Sequence, residues 1–162
     1  LLGADSPVKK IDLAAVTVED GSNYPAPFDE PCLGQTFQRL GRAQGLTRFG
    51  VNLSTIPPGG WSSQRHWHSH EDEFVMVIEG ELTLVTDAGD ELLRPGDCAA
   101  FKAGDPDGHH LVNRTDRVAK VLEVGNAEAE DVCVYPAIDM IAGPGDAGYR
   151  HVNGTPYPPK DA

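Results

Sequence analysis

Two short windows hold most of the side chains that could do chemistry. The first runs from Gly60 through His66, Trp67, His68, Ser69, His70, Glu71 and Asp72 to Glu73, and closes at Gly80. Successive side chains of a strand face opposite ways, so His66 and His68 share a face that Trp67 does not. A short turn through residues 69–72 leads into a second strand that opens with Glu73, and Glu73 shares its face with Val75 and Val77. Two imidazoles and one carboxylate then converge on an otherwise apolar interior. Such a set suits Zn, Fe, Mn, Co or Ni. The second window runs from Gly96 to Asn113. A tight loop between Gly104 and Gly108 precedes His109, which opens a strand in phase with Leu111 and Asn113. His109 is the third imidazole. Three histidines and one glutamate leave open positions on a five- or six-coordinate ion, as chemistry or ligand binding requires.

His70 and His110 are the rival donors. Pairing His68 with His70 leaves too short a run before Glu73, and His110 points out of a barrel if His109 points in. Glu123 shares a strand face with Ala119 and Val121. As an interior carboxylate it is the candidate acid or base, Glu123 being the only catalytic residue expected. Arg65 and Arg114 could meet an anionic substrate, but each alternates with inward residues, so solvent is the expectation for both. Trp67 and Met76 are expected between the sheets, Cys98 in the core, and Asn113 in a structural role.

These residues need strands to position them, and strands are what the chain offers. Residues 46–56 are rich in β-branched and aromatic side chains and stop at Pro57-Pro58-Gly59-Gly60, a strong turn signal. Residues 73–78, 81–86, 91–94, 97–101 and 118–124 read as further strands, separated by Asp87-Ala88-Gly89-Asp90 and Pro95-Gly96. No long stretch has the periodicity of an amphipathic helix. Many short strands with Gly/Pro turns imply an all-β sandwich or closed barrel. The organisation expected is an N-terminal arm over residues 1–33, a barrel over 34–135, and an irregular tail over 136–162 packed on the barrel. A short strand is expected near Ile11–Ala15, and the arm either packs on its own barrel or crosses to a second copy.

The first window reads G-x5-H-x-H-x4-E-x6-G and resembles the first cupin motif at every position. The second is similar to the second cupin motif, G-x5-P-x-G-x2-H-x3-N, with Lys102 in place of the proline and two extra residues between Gly104 and His109. Together they span about a third of the chain. The resemblance implies a double-stranded β-helix, or jelly-roll, barrel of the cupin superfamily with one divalent transition metal ion held by His66, His68, Glu73 and His109, and it implies frequent dimers. It also implies metal-dependent chemistry on a small oxygenated metabolite such as a sugar, keto acid or hydroxy acid, by isomerase, lyase, decarboxylase or dioxygenase routes. The alternative is a non-catalytic module that binds a metal and a sugar or other small molecule.

Composition narrows the partners. The formal net charge is −12, and an acidic surface repels phosphate backbones, so nucleic acid is not expected. No apolar run reaches the roughly 18 residues of a membrane span. The three cysteines, Cys32, Cys98 and Cys133, are widely spaced and form neither a disulfide framework nor a CxxC site. Free thiols point to a reducing compartment, the cytoplasm. A homodimer acting on a small-molecule substrate is the assembly expected.

Overall fold

The computed structural model describes residues 10–145 and 147–160. Its strands follow in order: β1 (Glu19–Asp20), β2 (Thr36–Arg39), β3 (Phe49–Ile56), β4 (Trp67–His68), β5 (Glu73–Glu79), β6 (Leu82–Thr86) and β7 (Gly89–Leu93). After these come β8 (Cys98–Phe101), β9 (His110–Val112), β10 (Ala119–Asn126), β11 (Cys133–Tyr135), β12 (Met140–Ala142) and β13 (Tyr149–Arg150). A short α-helix, α1 (Leu40–Ala43), interrupts the series.

One layer is a six-stranded sheet in the order β1-β2-β3-β10-β5-β8. The other is assembled from a three-stranded sheet, β7-β6-β9, and a four-stranded sheet, β13-β12-β11-β4. The segment leading into β4 joins these two, because Trp61 bridges Val112 and His66 bridges His109. The layers close on one apolar core of Ile56, Val75, Val77, Leu82, Leu84, Leu93, Leu111, Ala119 and Val121. Strands from both layers contribute, which is the two-sheet, jelly-roll arrangement expected. Burying such side chains contributes roughly 1.5–3 kcal/mol each, enough to hold a domain of this size without disulfides.

Two glycines of these windows have physical reasons. Gly80 turns β5 into β6 at φ +74°, and a Cβ there would stand 2.7 Å from the Val118 carbonyl oxygen, so no other residue fits. Gly108 precedes His109, and a Cβ on it would meet Pro136 at 2.8 Å. This close approach packs the His109 loop against the chain that follows β11.

Several expectations are corrected. The arm does not form a strand at Ile11–Ala15. Residues Leu13–Ala15 make a single 3-10 turn, because the Asp12 carboxylate accepts from the Ala14 amide at 3.1 Å, and the arm's strand comes later as β1. Cys98 is exposed rather than in the core. In β8 it is Ala99 and Phe101 that pack on the core, so Cys98 falls on the outer face opposite Met76. Met76 is accordingly half-buried on that outer face instead of between the sheets, and Trp67 is also only half-buried. The tail is more regular than expected. Met140 is fully buried beside Tyr24, Cys32, Cys133 and Tyr135, and β12 and β13 extend the sheet that carries His68.

Candidate metal centre

The register of the six-stranded sheet lays out the cavity floor, since directly opposed residues share a face. One row runs Gly50–Gly125–Glu73–Phe101. The next runs Arg39–Asn52–Glu123–Val75–Ala99, and a third runs Phe37–Ser54–Val121–Val77. Alternation along β5 therefore places Glu73 in line with the core residues Val75 and Val77, as the sequence pattern predicts. The facing layer supplies the imidazoles. His66 and His109 exchange both backbone hydrogen bonds across their bridge, at 3.1 and 2.8 Å, and His68 lies two residues along the same face.

The side chains meet. Glu73 Oε2 lies 2.8 Å from His109 Nε2, 3.6 Å from His66 Nε2 and 3.8 Å from His68 Nε2. His66, Glu73 and His109 bring their donor atoms within 4.8 Å of one another. Four ligands each about 2.0–2.3 Å from one ion stand roughly 3–4 Å apart, so these separations match a divalent transition ion. The orientation of the rings agrees with this. His66 Nδ1 faces the Gln64 carbonyl oxygen at 2.9 Å, and His68 Nδ1 faces Asp131 Oδ2 at 2.6 Å. Each pairing puts the ring proton on Nδ1 and turns the Nε2 lone pair toward the centre. His109 is held differently, by stacking on Phe101 with ring centroids 3.4 Å apart, and its buried Nδ1 has no partner among the described residues.

Electrostatics separates Glu73 from Glu123, two of the carboxylates that line the cavity. Burial alone would raise the Glu73 carboxyl, but the hydrogen bond from His109 and the neighbouring His66 and His68 imidazoles hold it well below the usual carboxylate range. Glu123 is different. Burial pushes it up to about 7, the Ser54 hydroxyl that donates to its Oε2 at 2.9 Å offsets part of that, and the nearby Glu73 charge adds to it. Two carboxylates with separated pKa values in one cavity are what acid–base work needs. The cavity itself is about 560 Å³, the size of a small-metabolite site, and is lined among others by all of His66, His68, Glu73, His109 and Glu123.

The rival donors fall elsewhere. His70 is exposed and, among the described residues, belongs to no cluster of metal-ligating atoms. His110 does not point outward as alternation suggests. It is buried, with Nδ1 2.9 Å from the Ser63 carbonyl oxygen and its ring edge-on to Trp61, because the segment before β4 covers β9. His109 does not open β9 but sits one residue before it. Arg65 is not a free solvent side chain. Its Nε donates to the Gly108 carbonyl oxygen at 2.7 Å and its guanidinium also meets Asp87, which braces the loop carrying His109. Arg114 pairs with Asp90 at the surface, as expected. Asn113 is fully buried and donates to the Ile56 and Arg117 carbonyl oxygens, a structural role.

Sequence reasoning missed three polar groups. Asp131 follows β10, and besides His68 it accepts from the His70 and Glu71 amides at 2.8 and 3.2 Å. Arg39 and Asn52 reach the cavity through the β2–β3–β10 register. A period-two reading of β3 in phase with Ser54 could have found Asn52; nothing local marks Asp131. Cys133 lies near His66 and His68, but burial pushes its thiol up to about 12, which makes it a poor donor beside three imidazoles.

Comparison with known proteins places this geometry among relatives. A family model described as Cupin domain matches residues 52–125. A crystal structure of a sugar phosphate isomerase from a cupin superfamily, from Silicibacter pomeroyi DSS-3, is 44% identical over 93% of this chain and 97% of its own, with a TM-score of 0.88. A proposed sugar phosphate isomerase from Acidithiobacillus ferrooxidans is 28% identical over 73% of this chain and 75% of its own, with a TM-score of 0.66. A polyketide cyclase from Streptomyces resistomycificus shares the fold, at 22% identity over 75% of this chain and 81% of its own and a TM-score of 0.62. No curated protein matches the chain.

Proposed function

The chain belongs to the cupin superfamily, and from that premise we propose that it is a metal-dependent isomerase of a small sugar phosphate. His66, His68, Glu73 and His109 hold one divalent transition ion. The observation that carries the reading is the placement of three imidazole Nε2 atoms around Glu73 Oε2, at 2.8, 3.6 and 3.8 Å, in a cavity that also buries Glu123. Likeness to the Silicibacter protein over nearly the full length of both chains supports the substrate class.

Isomerisation of an aldose to a ketose moves one proton between neighbouring carbons and a second between the oxygens they carry, the second by exchange with solvent. A group that takes and returns the first proton works best with a pKa near the operating pH. Glu123, raised to about 7, meets that requirement. As a carboxylate it takes the proton from the carbon beside the carbonyl, and as the acid it returns it to the former carbonyl carbon. Ser54 fixes the orientation of the carboxyl through the 2.9 Å hydrogen bond. The ion, when bound, stabilises the oxyanion that develops on the substrate between these two steps. Val75, Phe101 and Leu111 line the cavity with apolar surface, which strengthens each polar contact made there.

The test is turnover in D2O. The metal-loaded protein is incubated with a panel of aldose and ketose phosphates and followed by proton NMR. The expected result is interconversion of at least one pair with loss of a carbon-bound proton signal, abolished in Glu123→Gln. A metal-loaded protein that converts no member of the panel would contradict the reading.

A further inference from the structure

We propose that Arg39 receives the phosphate of the substrate, so that it is the residue that separates sugar phosphates from free sugars. The assignment rests on the sugar-phosphate reading above and deepens it. Among the described residues that line the cavity, Arg39 is the one carrying a guanidinium or ammonium group. It belongs to the row Arg39–Asn52–Glu123, so it shares the inward face with the buried carboxylate.

Its guanidinium is held but not used up. The Arg39 Nε donates to Glu19 Oε2 of β1 at 3.1 Å, and the guanidinium carbon sits 4.7 Å over the Phe37 ring. The two terminal amino groups have no hydrogen-bond partner among the described residues. A planar fork fixed on one edge and stacked on one face, with its other edge open, suits the oxygens of a phosphate monoester. The Asn52 side chain stands next to it in the row as a further donor.

Spacing agrees. Arg39 lies on β2 and Glu73 on β5, three strand steps apart through β3 and β10, or about 14 Å between backbones. Both side chains reach inward from these positions. The gap that remains is of the order of a short sugar phosphate, with the reacting carbons near Glu73 and Glu123 and the phosphate at Arg39.

Calorimetric titration of metal-loaded protein tests this with three probes: D-ribulose 5-phosphate, D-ribulose and inorganic phosphate. The wild type is expected to bind the phosphate ester about tenfold or more tightly than the free sugar, and to bind inorganic phosphate in competition with the ester. Arg39→Gln should abolish that preference while metal content and affinity for the free sugar stay unchanged, and Arg39→Lys should restore part of it. Should Arg39→Gln fail to fold, the intermediate preference of Arg39→Lys decides. A preference that persists in both variants, or a wild type that binds neither phosphate probe, would overturn the assignment. Turnover separates the two readings. An Arg39-dependent preference in a protein that isomerises nothing upholds this assignment and sinks the isomerase reading, whereas isomerisation with an undisturbed KM in Arg39→Gln does the reverse.

Discussion

His68 Nδ1 lies 2.6 Å from Asp131 Oδ2, across 63 positions of chain. The contact fixes the proton on Nδ1, aims Nε2 at Glu73, and holds Asp131 itself below the usual carboxylate range against the opposing effect of its burial. The same carboxylate pins the turn between β4 and β5 through the His70 and Glu71 amides. Ligand orientation and loop geometry therefore depend on one residue outside the ligand set.

Removing it should loosen the metal more than the fold. Asp131→Ala is expected to weaken metal affinity by about ten- to a hundredfold, the usual cost of losing a ligand's hydrogen-bond partner. Competition with a fluorescent chelator measures this. Affinity equal to that of the wild type would show that His68 does not need Asp131 for its orientation.

Glu123 predicts a pH dependence. Its folded pKa of about 7 lies above the ordinary 4.5, so between those values the folded protein keeps a proton that the unfolded chain has lost. Stability from this group is fully present below about pH 4.5 and falls as pH rises through the window, by about 3 kcal/mol once pH exceeds about 7. Glu123→Gln cannot ionise. In metal-free protein it should match the wild type near about pH 5 and exceed it by about 2–3 kcal/mol near about pH 8. Urea unfolding at the two pH values checks this, and parallel curves for the two proteins would contradict it.

The legible part of the site was the part encoded by local phase. Alternation and motif spacing brought His66, His68 and Glu73 to one face, and the loop before His109 brought in the third imidazole. What local phase cannot show is which strand lies beside which. Arg39 and Asn52 enter the cavity only through the β2–β3–β10 register, and Asp131 reaches His68 only because β11 pairs with β4. The same limit explains the errors. His110 alternates with His109 yet is buried, since the segment from Trp61 to His66 lies against β9. Cys98 looks like a core residue until β8 is seen to turn Ala99 and Phe101 inward.

A homodimer remains the expected assembly. The outer face of the six-stranded sheet exposes Phe74 and Ile78, at 37% and 47%, beside the half-buried Met76 and Leu122. An apolar sheet face of this kind favours pairing. Light scattering should give twice the chain mass of 17.3 kDa, or 34.6 kDa, at micromolar concentration. A mass of 17.3 kDa would refute it.

Metal stoichiometry across single ligand variants tests the central claim most directly. Elemental analysis of the purified wild type, loaded and then freed of excess ion, should give one divalent transition ion per chain. Glu73→Ala, His66→Ala and His109→Ala should each lose it, with only a modest drop in melting temperature because the apolar core carries the fold. His70→Ala should keep it. Full occupancy in Glu73→Ala and His109→Ala, or loss of the ion in His70→Ala, would contradict the ligand set and the chemistry built on it.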